Sequence, residues 1–143
     1  MDVRSILADK GSAVTTVLPG DAIAVVIATL DEHKIGAVVV SDGQGGVTGI
    51  LSERDIVKWI ARNGPGVLDQ AVSTLMTKEV VGCRLDDGID DVMAVMTRGK
   101  FRHMPVAEDG KLAGIVSIGD VVKHKLAAAE FEAQAMRDYI ATG

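Results

Sequence analysis

Apolar residues along this chain fall into two alternating patterns. Over 22–33 they crowd at helical spacing on most sides of the helix, which predicts a buried helix with Asp21 as its N-cap. Short β-branched runs at 13–18, 35–40 and 47–51 predict strands, separated by Pro19-Gly20 and by the polar loop 41–46. A short helix over 2–8, ended by Gly11, precedes them, and a helix from Ser52 to about Ala61 follows. After the break at Asn63-Gly64-Pro65-Gly66 and a lead-in over 67–76, the order returns. A strand is expected over 80–84, a helix over 87–98 capped by Asp86-Asp87, and strands over 101–106 and 112–116 around the turn Glu108-Asp109-Gly110. A long helix over 119–139 closes the chain.

The return is a true repeat. Val14 and Val80, Asp21 and Asp87, Ile23 and Ile89, Val26 and Val92, Lys34 and Lys100, and Val40 and Val106 all lie 66 positions apart. Beyond the hairpin the offset becomes 65, matching Gly49-Ile50 with Gly114-Ile115, Ser52 with Ser117, Asp55 with Asp120 and Lys58 with Lys123. A register held across both halves marks an internal duplication. The expected architecture is α/β of the α+β type: two β-α-β-β-α repeats, 1–64 and 65–143, packed about a pseudo-twofold axis. The last helix outruns its counterpart and carries Phe131, Met136, Tyr139 and Ile140, an apolar stripe suited to a subunit interface.

Composition narrows the function. Aromatics make up only 3% of the 143 residues, so a base would have to be held by aliphatic groups rather than rings. A net charge of −5 disfavours nucleic acid as a partner. No apolar run is long enough for a bilayer helix, and the N-terminus lacks a signal pattern, so a cytoplasmic location is expected. Cys83 stands alone, and His33, His103 and His124 show no metal-ligand spacing. No base–nucleophile pair appears, and the chain is not expected to be an enzyme.

Two features carry candidate chemistry. Ser52-Glu53-Arg54-Asp55 and Ser117-Ile118-Gly119-Asp120 each place Ser-x-x-Asp at a strand-to-helix junction, where N–H groups and the helix dipole favour an anion. A capping box accounts equally for each motif alone. It leaves Gly49-Ile50 and Gly114-Ile115 unexplained, and a glycine there would let a ligand approach the backbone closely. The second feature is Arg98-Gly99-Lys100-Phe101-Arg102-His103-Met104-Pro105, the one dense basic stretch. Arg98 and Lys100 read best as a solvated helix end. Arg102 and His103 enter an apolar strand, where a charge needs a partner and a phosphate would serve. Their counterparts Gly36 and Ala37 offer no charge, so the two halves cannot be chemically equal.

These motifs, with Phe101-Arg102-His103-Met104-Pro105-Val106, resemble those of stand-alone tandem CBS-domain proteins (Bateman modules) of the bacterial two-CBS type, over nearly the whole chain. The resemblance implies a sensor that binds AMP, ADP or ATP, and in some members NAD-type ligands or S-adenosylmethionine, in clefts between the repeats. It implies ribose contacts from Asp55 and Asp120, and ribose or phosphate contacts from Ser52 and Ser117. Adenine would lie near Thr16-Val17 with Ala37-Val38, and near Val81-Gly82 with Met104-Pro105. Phosphates would lie near Arg102, His103 and Arg54. A homodimer and an unidentified effector protein are implied as partners. Because only the second repeat carries the Arg-His pair, one good site is expected around Asp120, on the premise that both face one cleft. The alternative is a dimeric scaffold whose capping boxes are only caps.

Overall fold

Three consecutive valines set the first half. Val38, Val39 and Val40 are fully buried, which requires a strand covered on both faces. In the computed structural model, which describes residues 1–142, that strand is β2 (Ala37–Ser41). It lies between β1 (Thr16–Val17), parallel to it, and β3 (Val47–Ser52), antiparallel, in a three-stranded sheet. The second half repeats the arrangement with β4 (Cys83–Arg84), β5 (His103–Glu108) and β6 (Lys111–Ser117). The register repeats as well: Ala37 pairs with Ser52, and His103 with Ser117. Asp109 and Gly110, with φ of 52° and 77°, make the primed two-residue turn that matches strand twist.

The helices are α1 (Val3–Lys10), α2 (Ile23–His33), α3 (Glu53–Asn63), α4 (Val72–Leu75), α5 (Ile89–Gly99) and α6 (Ile118–Thr142). A 3-10 turn, Pro65–Asp69, precedes α4. The lead-in expected over 67–76 is thus two short turns, and the strands expected over 13–18 and 80–84 shrink to two residues each. Helices α2 and α5 both end on a lysine in the left-handed conformation, Lys34 and Lys100.

Asp21 and Asp87 do not cap these helices. Each turns back instead, its Oδ2 accepting from the N–H of Leu18 or Arg84 at 2.9 and 2.8 Å. The N-caps are Ala22 and Gly88, without side-chain bonds. Carbonyls from the opposite half serve them: Ile23 N–H donates to Gln70 O, and Ile89 N–H to Met1 O. Helix α2 is also less enclosed than its composition predicts. It buries Ile23, Val26 and Leu30 and leaves Val25 and Ile27 in solvent.

Those cross-connections reflect an exchange of leading segments. Val67, Val72 and Leu75 pack into the first core, with Val17, Ile23, Val26, Val38 and Leu51. Val3, Ile6 and Leu7 pack into the second, with Ile89, Val92, Met96, Met104 and Val116. At roughly 1.5–3 kcal/mol for each fully buried aliphatic side chain, the exchange ties the halves together.

Candidate functional site

Both Ser-x-x-Asp motifs form complete capping boxes. Ser52 Oγ accepts from Asp55 N–H at 3.2 Å, while Asp55 Oδ2 accepts from the N–H and hydroxyl of Ser52 at 3.1 and 2.9 Å. In the second motif Ser117 Oγ accepts from Asp120 N–H at 3.2 Å, and Asp120 Oδ2 accepts from Ser117 N–H at 2.9 Å. The boxes hold their aspartates in fixed rotamers at helix N-termini. The preceding carbonyls repeat too: Gly36 O accepts from Glu53 N–H at 2.9 Å and Arg102 O from Ile118 N–H at 2.8 Å.

The first aspartate opens on a cavity of about 550 Å³ between the halves. Ser52, Arg54 and Asp55 line it from the first half, with Gly36, Ile50, Glu53, Val57 and Lys58. Arg102 and His103 line it from the second half, with Lys100, Phe101, Thr77, Glu79, Val80 and Val81. Cations, carboxylates and aliphatic groups from both halves thus share one space, a layout suited to an anionic ligand with a neutral body. A more open depression of about 770 Å³, beside α1 and the β5–β6 hairpin, holds none of the motif residues.

Asp120 and the Arg-His pair, expected in one cleft, do not line this cavity together, although Asp120 is near enough to His103 to act on its charge. The pair lies in the cavity of Asp55, because the halves pack with β5 turned toward the α3 N-terminus, and Ser117 and Asp120 are outside it. Lys100, the exposed C-cap of α5, also lines this cavity.

The paired glycines have a different purpose from the one their position suggests. A β-carbon on Gly49 would lie 2.5 Å from Met76 Sδ and 3.0 Å from Thr77 O. On Gly114 it would lie 2.7 Å from Leu7 Cδ1. Each glycine makes room for the crossing leader, not for a ligand. Gly36 accommodates the ring of His103 and Gly82 the Pro105 carbonyl in the same way.

Electrostatics separate the two aspartates further. Burial pushes the Asp120 carboxyl up. The Lys10 ammonium, 2.8 Å from Oδ2, and the bonds from Ser117 outweigh it, holding the group below its usual range. His103 is pulled below its ordinary 6.5, first by burial and then by Lys10 and Arg102, against the opposing pull of Glu53 and Asp120. Burial, with Asp87 nearby, pushes the Cys83 thiol up to about 12, which suits a packing residue rather than a nucleophile.

A sequence profile of the CBS domain matches residues 3–62 and again 72–127. This chain belongs to the CBS-domain family. An uncharacterised 17.7 kDa protein of Acidianus ambivalens is 38% identical over 123 residues, 82% of this chain and 73% of that protein. The mitochondrial CBS domain-containing protein CBSX3 of Arabidopsis thaliana is 33% identical over 121 residues, 82% of this chain and 59% of its own length. Among solved structures, a CBS-domain containing protein of Agrobacterium tumefaciens superposes with a TM-score of 0.85 at 51% identity, covering 87% of this chain and 99% of that one. The CBS domain pair of protein MJ0100, solved with 5-methylthioadenosine and S-adenosyl-L-methionine, superposes at 0.77 with 25% identity, covering 86% of this chain and 98% of that one.

Within this CBS pair, the sequence-derived site residues divide into four groups. Ser52, Arg54, Asp55, Val81, Arg102 and His103 converge on the cavity. Val17, Ala37, Val38, Met104 and Pro105 are buried sheet residues, Val17 and Val38 in the first core and Met104 in the second. Thr16 and Gly82 are exposed, and Ser117 and Asp120 form the separate second motif. Sequence reasoning missed Glu53, Lys58, Lys100 and Glu79. The first two lie one and six positions past Ser52, within the first two turns of α3, and could have been found by projecting that helix. Glu79 carries no local signal. Among the described residues, no helix is long and apolar enough to cross a membrane.

Proposed function

We propose that this CBS pair is a regulatory module that binds an adenosine ligand in the cavity between its halves. The supporting observation is the meeting of Asp55, fixed by its capping box, with Arg102 and His103 across that space. Asp55 Oδ2 is engaged by Ser52, and Oδ1 accepts no hydrogen bond from the described residues, leaving an oxygen for a ribose hydroxyl. Arg54, Lys58, Lys100, Arg102 and His103 supply donors for phosphates, which favours AMP, ADP, ATP or an NAD-type ligand. S-adenosylmethionine, the ligand of the MJ0100 relative, shares the adenosine and lacks the phosphates. The aliphatic wall of Ile50, Val57, Val80 and Val81 suits adenine. The module acts without catalysis, in the cytoplasm, as a homodimer that signals to an effector protein. Phe131, Met136, Tyr139 and Ile140, exposed along α6, supply an apolar face for that dimer.

A scaffold without ligand is the competing reading, and the completeness of both capping boxes favours it. Thermal unfolding with AMP, ATP, NAD and S-adenosylmethionine separates the two. A ligand at a hundred times its Kd stabilises the fold by about 2.7 kcal/mol. The absence of any shift with all four compounds would leave the scaffold.

A further inference from the structure

The two aspartates differ in what already stands against them. Lys10, the last residue of α1, donates from Nζ to Asp120 Oδ2 at 2.8 Å and to Ile115 O at 3.0 Å. One ammonium therefore bridges the carboxylate of the second motif and the strand that leads into it. The Asp120 side chain is 23% exposed and that of Lys10 34%, so the pair is partly shielded from water.

Packing identifies the counterpart of Lys10 in the other half. Leu7 fills the space above Gly114, and Met76 fills it above Gly49. The leaders therefore align with Leu7 on Met76, 69 positions apart. That offset, carried on in sequence alone, matches Lys10 with Glu79, although the two leaders part in conformation beyond Met76. Glu79 lines the cavity of Asp55. Glu79 brings no cation to Asp55, which accepts only from its own Ser52 among the described residues. The leaders also differ in conformation. Helix α1 continues to Lys10, whereas α4 stops at Leu75 and the chain runs on in a bridge between Thr77 and Ile50.

We propose that Lys10 satisfies the second motif from within, its ammonium standing on Asp120 Oδ2 where the Ser52 hydroxyl stands on Asp55 Oδ2 and neutralising the carboxylate before any ligand arrives. The chain then presents one open adenosine site and one whose aspartate is already paired with its own side chain. This rests on the reading of the open cavity as an adenosine site. It adds that the duplication was made unequal at a residue outside both Ser-x-x-Asp motifs.

Equilibrium dialysis with AMP, ATP and S-adenosylmethionine, each used separately, tests it on the full chain. The wild type should bind one molecule per chain. Lys10→Met, which keeps the aliphatic stem, should bind two, and Lys10→Met combined with Asp120→Asn should return to one. Lys10→Gln serves as a second charge-free variant, with thermal unfolding to check that each variant folds. A parallel carbon NMR titration should show the Asp120 carboxyl titrating at higher pH once Lys10 is gone. Two molecules on the wild type, or one on both the wild type and the Lys10 variants, overturns the inference and leaves the open site intact. Binding by the Lys10 variants alone sustains it and overturns the reading of the open cavity. Binding by none overturns both.

Discussion

The imidazole of His103 lies directly over Gly36: a β-carbon added to Gly36 would come within 3.3 Å of both Cε1 and Nε2. Glycine in one half thus positions a cavity residue of the other. Gly36→Ala must push the ring away by a few tenths of an ångström, while the lost glycine freedom in the unfolded chain offsets part of the strain. We expect a melting temperature within about 4 °C of wild type, the shift that ~1 kcal/mol produces, together with weaker nucleotide binding. Unchanged affinity in calorimetry would show that the His103 ring does not contribute to the site.

The Gly49 and Gly114 contacts predict a graded effect. Gly114→Ala meets only the flexible end of Leu7, whereas Gly49→Ala meets both Met76 and the Thr77 carbonyl, which the bridge to Ile50 holds in place. Overpacking of this kind costs about 1–3 kcal/mol. Urea unfolding should place both variants below wild type, with Gly49→Ala the lower. A Gly49→Ala protein as stable as wild type would refute the leader-packing role.

Much of this fold is written locally. The 66- and 65-residue offsets carry the duplication, and Asp109-Gly110 encodes its own turn. The exchange of leaders is not encoded in this way. Val3, Ile6 and Leu7 have the same apolar character whichever core they enter, so only the three-dimensional packing assigns them to the second. The expected caps at Asp21 and Asp87 fail for the same reason, since the carbonyls that replace them arrive from the opposite half. The site follows suit. Ser52 with Asp55, and Arg102 with His103, were legible as residue types, but which aspartate faces the cations depends on how the halves pack.

His103 makes stability depend on pH. Its folded pKa lies below the ordinary 6.5, so the unfolded chain binds that proton more readily and stability rises with pH across the window beneath 6.5. Its contribution is fully present above that value and is lost as pH falls through the folded pKa. Asp120, also depressed, adds its own loss only below its ordinary 3.8. Urea unfolding between about pH 7 and about pH 5.5 should show a declining free energy that His103→Asn flattens. An identical slope in the variant would remove His103 from the account. A phosphate beside the ring favours its protonated form, so nucleotide affinity should rise over the same descent.

The central claim is that Asp55, and not Asp120, faces the ligand. Isothermal titration of wild type, Asp55→Asn and Asp120→Asn with the adenosine compound that binds wild type most tightly tests it directly. Asp55→Asn should weaken binding about tenfold or more, equivalent to at least ~1.4 kcal/mol, and Asp120→Asn should leave the affinity unchanged. A loss at Asp120→Asn with wild-type affinity at Asp55→Asn would contradict it.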